Sequence, residues 1–525
     1  MTQVQLYDTT LRDGVQREGL SFSLEDKLKV ARRLDTLGVH YIEGGYPGSN
    51  QRDQEFFARA AQMTWRNARI TAFGSTRYKG NSADADPNLR ALIDAGTPTV
   101  CIVCKNSEMH VREVLAVSLE ENLAMIGDSV AFLKRHAKEV FHDAEHFFDG
   151  YKQNRDYALA CLRTAQESGA DCLVLCDTNG GTLTNEVVEI VTAVCQAIPG
   201  AAIGIHCHND AELAVANTLA AVQAGAGHVQ GTINGYGERC GNANLCAIIP
   251  NLQLKLRIEC VTEEQLKSLT EVSRYISEVA NLHPDPHMAY VGASAFAHKA
   301  GYHADAMRKN RMSYQHVDPR LIGNDERILI SELSGRAAVA GKAQSLGLEL
   351  GSADTARSVV ETVKALEGRG YQFEGAEASF ELMVRRLQPG YKAPFELVDF
   401  LVLVETRGGK DMLAESMVKV RIQEQILHTA GEGNGPVNAL DNALRKALAP
   451  AYPEVEAIRL TDYKVRIVDE AKGTAAVPRV LIDSSDGSAT WTTVGASTNI
   501  IEASWLALAD SFEYGLARAL NVRRS

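Results

Sequence analysis

At 525 residues the chain is too long for one ordinary domain, and two or three are expected. It is 45% hydrophobic and 23% charged, the composition of a soluble globular protein, and its formal net charge is -12. That charge argues against nucleic acid or an anionic membrane as partner, since both demand basic surface. No apolar run is long enough to span a bilayer, and MTQVQLYDTT lacks the basic flank and apolar stretch of a secretory signal, so a cytoplasmic location is expected.

The first half alternates β-rich runs with amphipathic stretches. In chain order the strand candidates are VQLYDTT (4–10), HYIEGGY (40–46), RITAFGS (69–75), TVCIVCK (99–105), EVFHDAEHFF (139–148), CLVLCDT (172–178), AIGIHCH (202–208) and HVQGTIN (228–234). Between the first two, SLEDKLKVARRLDTLG repeats apolar residues at helical spacing, with Ser23 at the cap and acidic Glu25 and Asp26 in the first turn. Eight strand–helix units in about 260 residues match a (β/α)8 TIM barrel, expected over 1–262. An open doubly wound sheet is the alternative. The strand count and the lack of a G-x-G-x-x-G after the first strand favour the barrel.

Cys101 and Cys104 form a C-x-x-C inside the fourth strand, where residues three apart point to opposite faces. With no second pair at zinc-ribbon spacing, they read as buried inert thiols, as do Cys172, Cys176 and Cys207.

From about residue 262 the pattern turns to helices and irregular pieces, giving a mainly helical linker region over 263–390. After LQPGYKAP (387–394) strand-like runs return, among them FELVDFLVLVET and MVKVRIQEQ. TAGEGNGPVNALDNAL (429–444) and TVGASTNIIEASWLAL (493–508) align without gaps, sharing Thr, Gly, two Ala and Leu. The expectation is a C-terminal α+β domain over 391–525, built from an internal ββα-type repeat.

Polar residues gather at the C-terminal strand ends, where barrel active sites sit. His206 and His208 flank Cys207 at the end of the seventh strand, and residues two apart share a strand face, so both imidazoles can converge on one metal. The plain alternative is two polar residues where a strand emerges into solvent. Asp13, after the first strand, could complete a two-His, one-carboxylate set with open positions for substrate oxygens. Arg12 beside it could hold a carboxylate or steady an enolate oxygen; the plain readings are a helix cap and a surface cation. Glu43 and Asn242 lie on the same rim. Glu145 is a candidate acid or carbonyl-orienting group, or else an exposed strand end. Thr178 could donate its hydroxyl to a substrate carboxylate, or be ordinary turn chemistry. The glycines of NGYGERCGN (234–242) could cradle a phosphate, or simply serve tight turns.

Together DTTLRDGVQREG, IEGGYPGSN, CDTNGGTLT, IGIHCHND and GYGERCGNANL resemble the DRE-TIM metallolyase superfamily, in its acyl-transferring Claisen synthases. AFAHKAGYHADAM, YQHVDPRLIGNDERILISELSGR, GEGNGPVNALDNAL and VGASTNIIEASWLALADSFEY extend the resemblance, from end to end, to the isopropylmalate/citramalate/homocitrate synthase family. IEGGYPGSN and AEHFFDGY are most similar to its citramalate-forming branch, which uses pyruvate and feeds isoleucine synthesis.

The resemblance implies an acyltransferase joining acetyl-CoA to a short 2-keto acid, with a divalent ion (Zn, Mn, Co or Mg) on Asp13, His206 and His208 and Asn242 as a nearby or fourth ligand. Glu43 would support Arg12 and the metal shell at the substrate site, while Arg12 and Thr178 would contact the keto acid. Glu145 would position or carry protons, His303 would take part in proton transfer, and Tyr314 would also reach the site, both acting across a homodimer. The C-terminal repeat would bind the pathway's end-product amino acid, isoleucine for a citramalate-forming enzyme. Rival readings are 2-ketoisovalerate or 2-ketoglutarate as substrate, a lyase or biotin-dependent carboxyl transferase on the same barrel, and an amino-acid-binding regulator with an idle barrel.

Overall fold

The computed structural model describes residues 4–522, apart from 137–138, 299–302, 304–305, 308, 329–352, 374–375, 389, 406–412, 469–472 and 474–475. The chain forms two compact units: Met1–Phe296 with His316–Glu326, and Ala297–Gln315 with Arg327–Ser525.

The first unit is a closed barrel of eight parallel strands in sequential order: β1 (Gln5–Asp8), β2 (Tyr41–Gly45), β3 (Arg69–Ser75), β4 (Thr99–Lys105), β5 (Glu139–Glu145), β6 (Cys172–Asp177), β7 (Ile203–Cys207) and β8 (His228–Gly231). β8 closes on β1 with Leu6 opposite Val229. Each expected run holds one strand, trimmed where side chains turn the backbone. β1 stops at Asp8 because its carboxylate accepts the N–H and the hydroxyl of Thr10, at 2.8 and 2.9 Å.

The helix Leu24–Leu37 begins with a reciprocal cap: the Asp26 N–H donates to Ser23 Oγ, and the Ser23 N–H donates to the Asp26 carboxylate. It ends at Gly38, whose φ of 90° suits glycine.

The barrel is a packed core. Tyr7, Tyr41, Phe141 and His228 fill its interior with ring centroids 5.0 to 6.1 Å apart. Cys101 joins this inner cluster, while Cys104 packs between strands and helices, as strand alternation requires. Both thiols are free, and burial pushes them far above their ordinary range. The barrel unit runs past residue 262, because helices Glu263–Lys267 and Leu269–Val279 sink Leu266, Leu269, Val272 and Ile276 into the same core.

The second unit holds a short parallel pair, β9 (Ala297–His298) with β10 (Arg327–Ile328), and helices Ala353–Gly368 and Glu377–Arg386. Two antiparallel three-stranded sheets follow. β11 (Glu396–Glu405), β12 (Leu413–Ile422) and β13 (Gln425–Gly433) lead into helix Pro436–Leu448. β14 (Arg459–Ile467), β15 (Pro478–Ser485) and β16 (Thr490–Ala496) lead into helix Ile500–Val522.

Each repeat is therefore βββα rather than ββα, since the aligned stretch starts only on the third strand. The shared residues are the places where that strand meets its helix. Thr429 Oγ1 donates to Ala443 O and Thr493 Oγ1 to Ala507 O, both at 2.7 Å. A Cβ on Gly431 would sit 2.5 Å from Ala443 N, and one on Gly495 would sit 2.1 Å from Ala503 O. Only glycine lets strand and helix approach so closely. No described helix is long and apolar enough to cross a membrane.

Candidate active site

The turn after β1 sets the site. The N–H groups of Arg12, Asp13 and Gly14 all donate to Thr9 O, at 3.2, 2.9 and 3.0 Å, a tight turn at the C-terminal end of β1. Asp13 Oδ2 lies 3.4 Å from His206 Nε2 and 3.7 Å from His208 Nε2. The histidines, on and just past the end of β7, bring their Nε2 atoms to 3.3 Å. His208 pairs across an isolated bridge with Asn242, whose Nδ2 donates to Asp13 Oδ2 at 2.6 Å.

Asp13, His206 and His208 are all buried and offer three ligand atoms within 4.8 Å of one another. A carboxylate oxygen and two imidazole lone pairs repel at this range unless a cation or proton lies among them, so the donor set fits a divalent metal. Among the described residues Asn242 Oδ1, which is buried, has no hydrogen-bond partner, and turning the amide over would aim it at the same point.

Arg12 is held on three sides. Its Nε donates to Glu43 Oε2 at 2.6 Å, its Nη1 lies 3.2 Å from Asp13 Oδ1, and its guanidinium lies 3.8 Å above the Phe73 ring centroid. Glu43 is fully buried; its other oxygen accepts the Tyr7 hydroxyl at 2.5 Å, and Thr9 donates beside Arg12. With both oxygens engaged, Glu43 fixes the fork of Arg12. A cavity of about 480 Å³ adjoins it, lined by Arg12, Gln16, Phe22, Tyr46, Arg52 and Phe73 among others.

At the ends of β4, β5 and β6 a second cluster stands. Glu145 pairs with Lys105, and Thr178 Oγ1 accepts the His146 N–H at 2.8 Å. His146 holds a left-handed φ of 54° and stacks on His110, centroids 3.8 Å apart. Arg239, from the glycine-rich GYGERCGN, donates to Asp210 at 2.7 and 2.9 Å and to Thr178 O at 2.8 Å, tying the loops after β6, β7 and β8. The glycines make room for Asn242: a Cβ on Gly237 would meet its Oδ1 at 1.9 Å.

Comparison with known proteins gives this site its context. Residues 3–276 match the HMGL-like family, 290–370 the homocitrate synthase post-HMGL domain-like family and 374–516 the LeuA allosteric (dimerisation) domain. The (R)-citramalate synthase of Geobacter sulfurreducens is 51% identical over 528 residues, covering 100% of both chains. That of Aquifex aeolicus is 50% identical, covering 98% of each. The 2-isopropylmalate synthase of Methanocaldococcus jannaschii is 31% identical over 98% of this chain and 95% of its own. The chain belongs to the citramalate synthase family.

It is thus an enzyme of a condensing acyltransferase family, and the electrostatics of Asp13 and His208 suit metal binding. The Asp13 carboxyl, which burial would raise, is held well below the usual range by Arg12 and His206. Burial and the charge of His206 bring His208 down to about 4, so it is neutral at pH 7. For His206, burial is outweighed by its hydrogen bond to Asp13 and by Asp13's charge, and its pKa is raised.

In the second unit, His303 and Tyr314 stack with centroids 4.0 Å apart. Sequence reasoning passed over Tyr7, Phe73, Lys105, His146 and Gln230. Tyr7, two residues before Thr9, and Lys105, two after Val103, lay within reach of strand parity. Phe73 and Gln230 looked like ordinary strand interior.

Proposed function

We propose that the chain joins the acetyl group of acetyl-CoA to the keto carbon of pyruvate, and that water then cleaves the thioester of the adduct, giving citramalate and CoA. The observation that carries this is the identity of about half, over the full length, with proteins named (R)-citramalate synthase, against 31% with an isopropylmalate synthase. In this reading Asp13, His206 and His208 hold a divalent ion, Zn, Mn, Co or Mg, with Asn242 as a nearby ligand. When bound, such an ion supplies Lewis-acid polarisation of the keto group.

The chain's own residues orient the reactants. Arg12, locked by Glu43, Asp13 and Phe73, presents a fixed cation to the keto acid's carboxylate or to a developing enolate oxygen. The cavity beside it offers space for the thioester. Thr178 bounds the keto acid, and Glu145 with Lys105 holds a proton-carrying group at the mouth. His303 takes part in removing the thioester methyl proton, with Tyr314 stacked on it. Within the span 263–390, the part beyond helix Leu269–Val279 serves as the linker region between the catalytic and regulatory parts. The C-terminal region binds an end-product amino acid, isoleucine, in a cytoplasmic homodimer; the match to a LeuA allosteric (dimerisation) domain supports both the effector and the dimer.

The test is release of free CoA thiol from acetyl-CoA by purified protein with defined metals, across pyruvate, 2-ketoisovalerate and 2-ketoglutarate. Pyruvate is expected to be preferred. Preference for 2-ketoisovalerate would overturn the substrate assignment.

A further inference from the structure

His206 has two ring nitrogens, and only one can face Asp13 and His208. Its Nδ1 lies 2.9 Å from Gln230 Oε1, and Gln230 Nε2 donates to Asp143 Oδ1 at 3.0 Å. Gln230 is fully buried and Asp143 is 3% exposed, so water competes for neither. Gln230 stands directly opposite His206 in the β7–β8 register, while Asp143 reaches it from β5, across the barrel interior.

We propose that Asp143 and Gln230 are positioning residues that fix the tautomer and ring orientation of His206, an inference that rests on the metal reading above. A glutamine amide presents an oxygen or an NH2 group with nearly the same shape, so Gln230 alone does not dictate which one His206 meets. Asp143 removes that freedom. Its carboxylate accepts from the NH2 group, which leaves Oε1 for the imidazole. Oε1 only accepts, so His206 carries its proton on Nδ1 and keeps the Nε2 lone pair for a ligand. With the amide reversed, its NH2 would face Nδ1, the proton would move to Nε2, and the ligating atom would be blocked. The intervening glutamine passes on orientation without placing a carboxylate against the imidazole. His208 is the contrast: among the described residues its buried Nδ1 has no hydrogen-bond partner.

The test is Co²⁺ affinity of the metal-stripped full-length chain, read by chelator competition, with thermal unfolding of the metal-free form as a control on folding. Gln230→Leu and Asp143→Leu are each expected to weaken Co²⁺ binding about 10- to 100-fold. Because they act through one relay, the double variant should be no weaker than Gln230→Leu alone. Gln230→Glu supplies an acceptor whichever way it turns, so it should keep most of the affinity and make it insensitive to Asp143→Leu. Should the leucine variants fail to fold, Asp143→Ser is compared in the Gln230 and Gln230→Glu backgrounds. Unchanged affinity in the leucine variants, or with Asp143→Ser in the Gln230 background, or additive losses in the double variant, would overturn the relay while leaving the metal site standing. Wild-type Co²⁺ binding that survives His206→Ala would overturn the metal reading and the relay with it.

Discussion

The Nε2 atoms of His206 and His208 face one another across 3.3 Å, with Asp13 Oδ2 3.4 Å from the first and 3.7 Å from the second. Three buried electron-rich atoms in that arrangement call for a cation. Chelation is expected to abolish CoA release, and re-addition of a divalent ion to restore it. Asp13→Ala and His208→Ala should each lower kcat by at least about 100-fold, the scale of Lewis-acid stabilisation. Turnover that persists in both variants after chelation would sink the metal assignment.

Arg12 uses three features that lysine lacks: an Nε donor for Glu43, an Nη1 facing Asp13, and a flat face on Phe73. Arg12→Lys keeps the charge and loses the fork. It should lower kcat by about 10²- to 10³-fold, the cost of removing a donor to developing charge. Thermal stability should move little. A lysine variant with near wild-type kcat would show that charge alone suffices.

Close strand–helix crossing in the C-terminal repeats should be sensitive to one methyl group. Gly495→Ala puts a Cβ 2.1 Å from Ala503 O, a backbone atom that moves only with its helix. The expected loss is about 1 to 3 kcal/mol in the second unit, read by urea or thermal unfolding. Exposed Gly487, where a Cβ meets nothing within 4 Å, has φ 85°, so its alanine variant isolates backbone strain from crowding.

His228 carries a pH dependence. Burial among Tyr7, Tyr41 and Phe141, with the charge of His40 nearby, brings it down from 6.5 to about 3, and among the described residues neither ring nitrogen has a hydrogen-bond partner. The folded state keeps it neutral, so its contribution is fully present above pH 6.5. It is lost as pH falls toward 3, by about 1.4 kcal/mol per pH unit. Buried Asp8 and Asp143, raised to about 7 and about 6, act in the opposite sense, because folding favours their protonated forms. The difference between variant and wild type isolates the histidine. His228→Phe should gain stability relative to wild type between pH 7 and pH 5, measured by urea midpoints; parallel pH profiles would refute this.

Sequence by itself determined what is local. Strand runs, the Ser23 cap and the Gly38 stop are written in neighbouring residues, because period and capping are backbone properties. The Thr, Gly and Ala shared by the two repeats were legible as a pattern, since each marks the same strand–helix contact. The two histidines were legible because strand pleat puts alternate residues on one face.

Tertiary structure alone decided the partners. Parity says that Tyr7, Glu43, Asp143 and Gln230 point inward, yet not which of them meet. Closure of β8 on β1 and the width of the barrel bring Tyr7 to Glu43, Arg12 to Phe73, and Asp143 to Gln230 behind His206. Such pairs are separated by 36 to 87 residues in the chain, and only the closed sheet sets their distance.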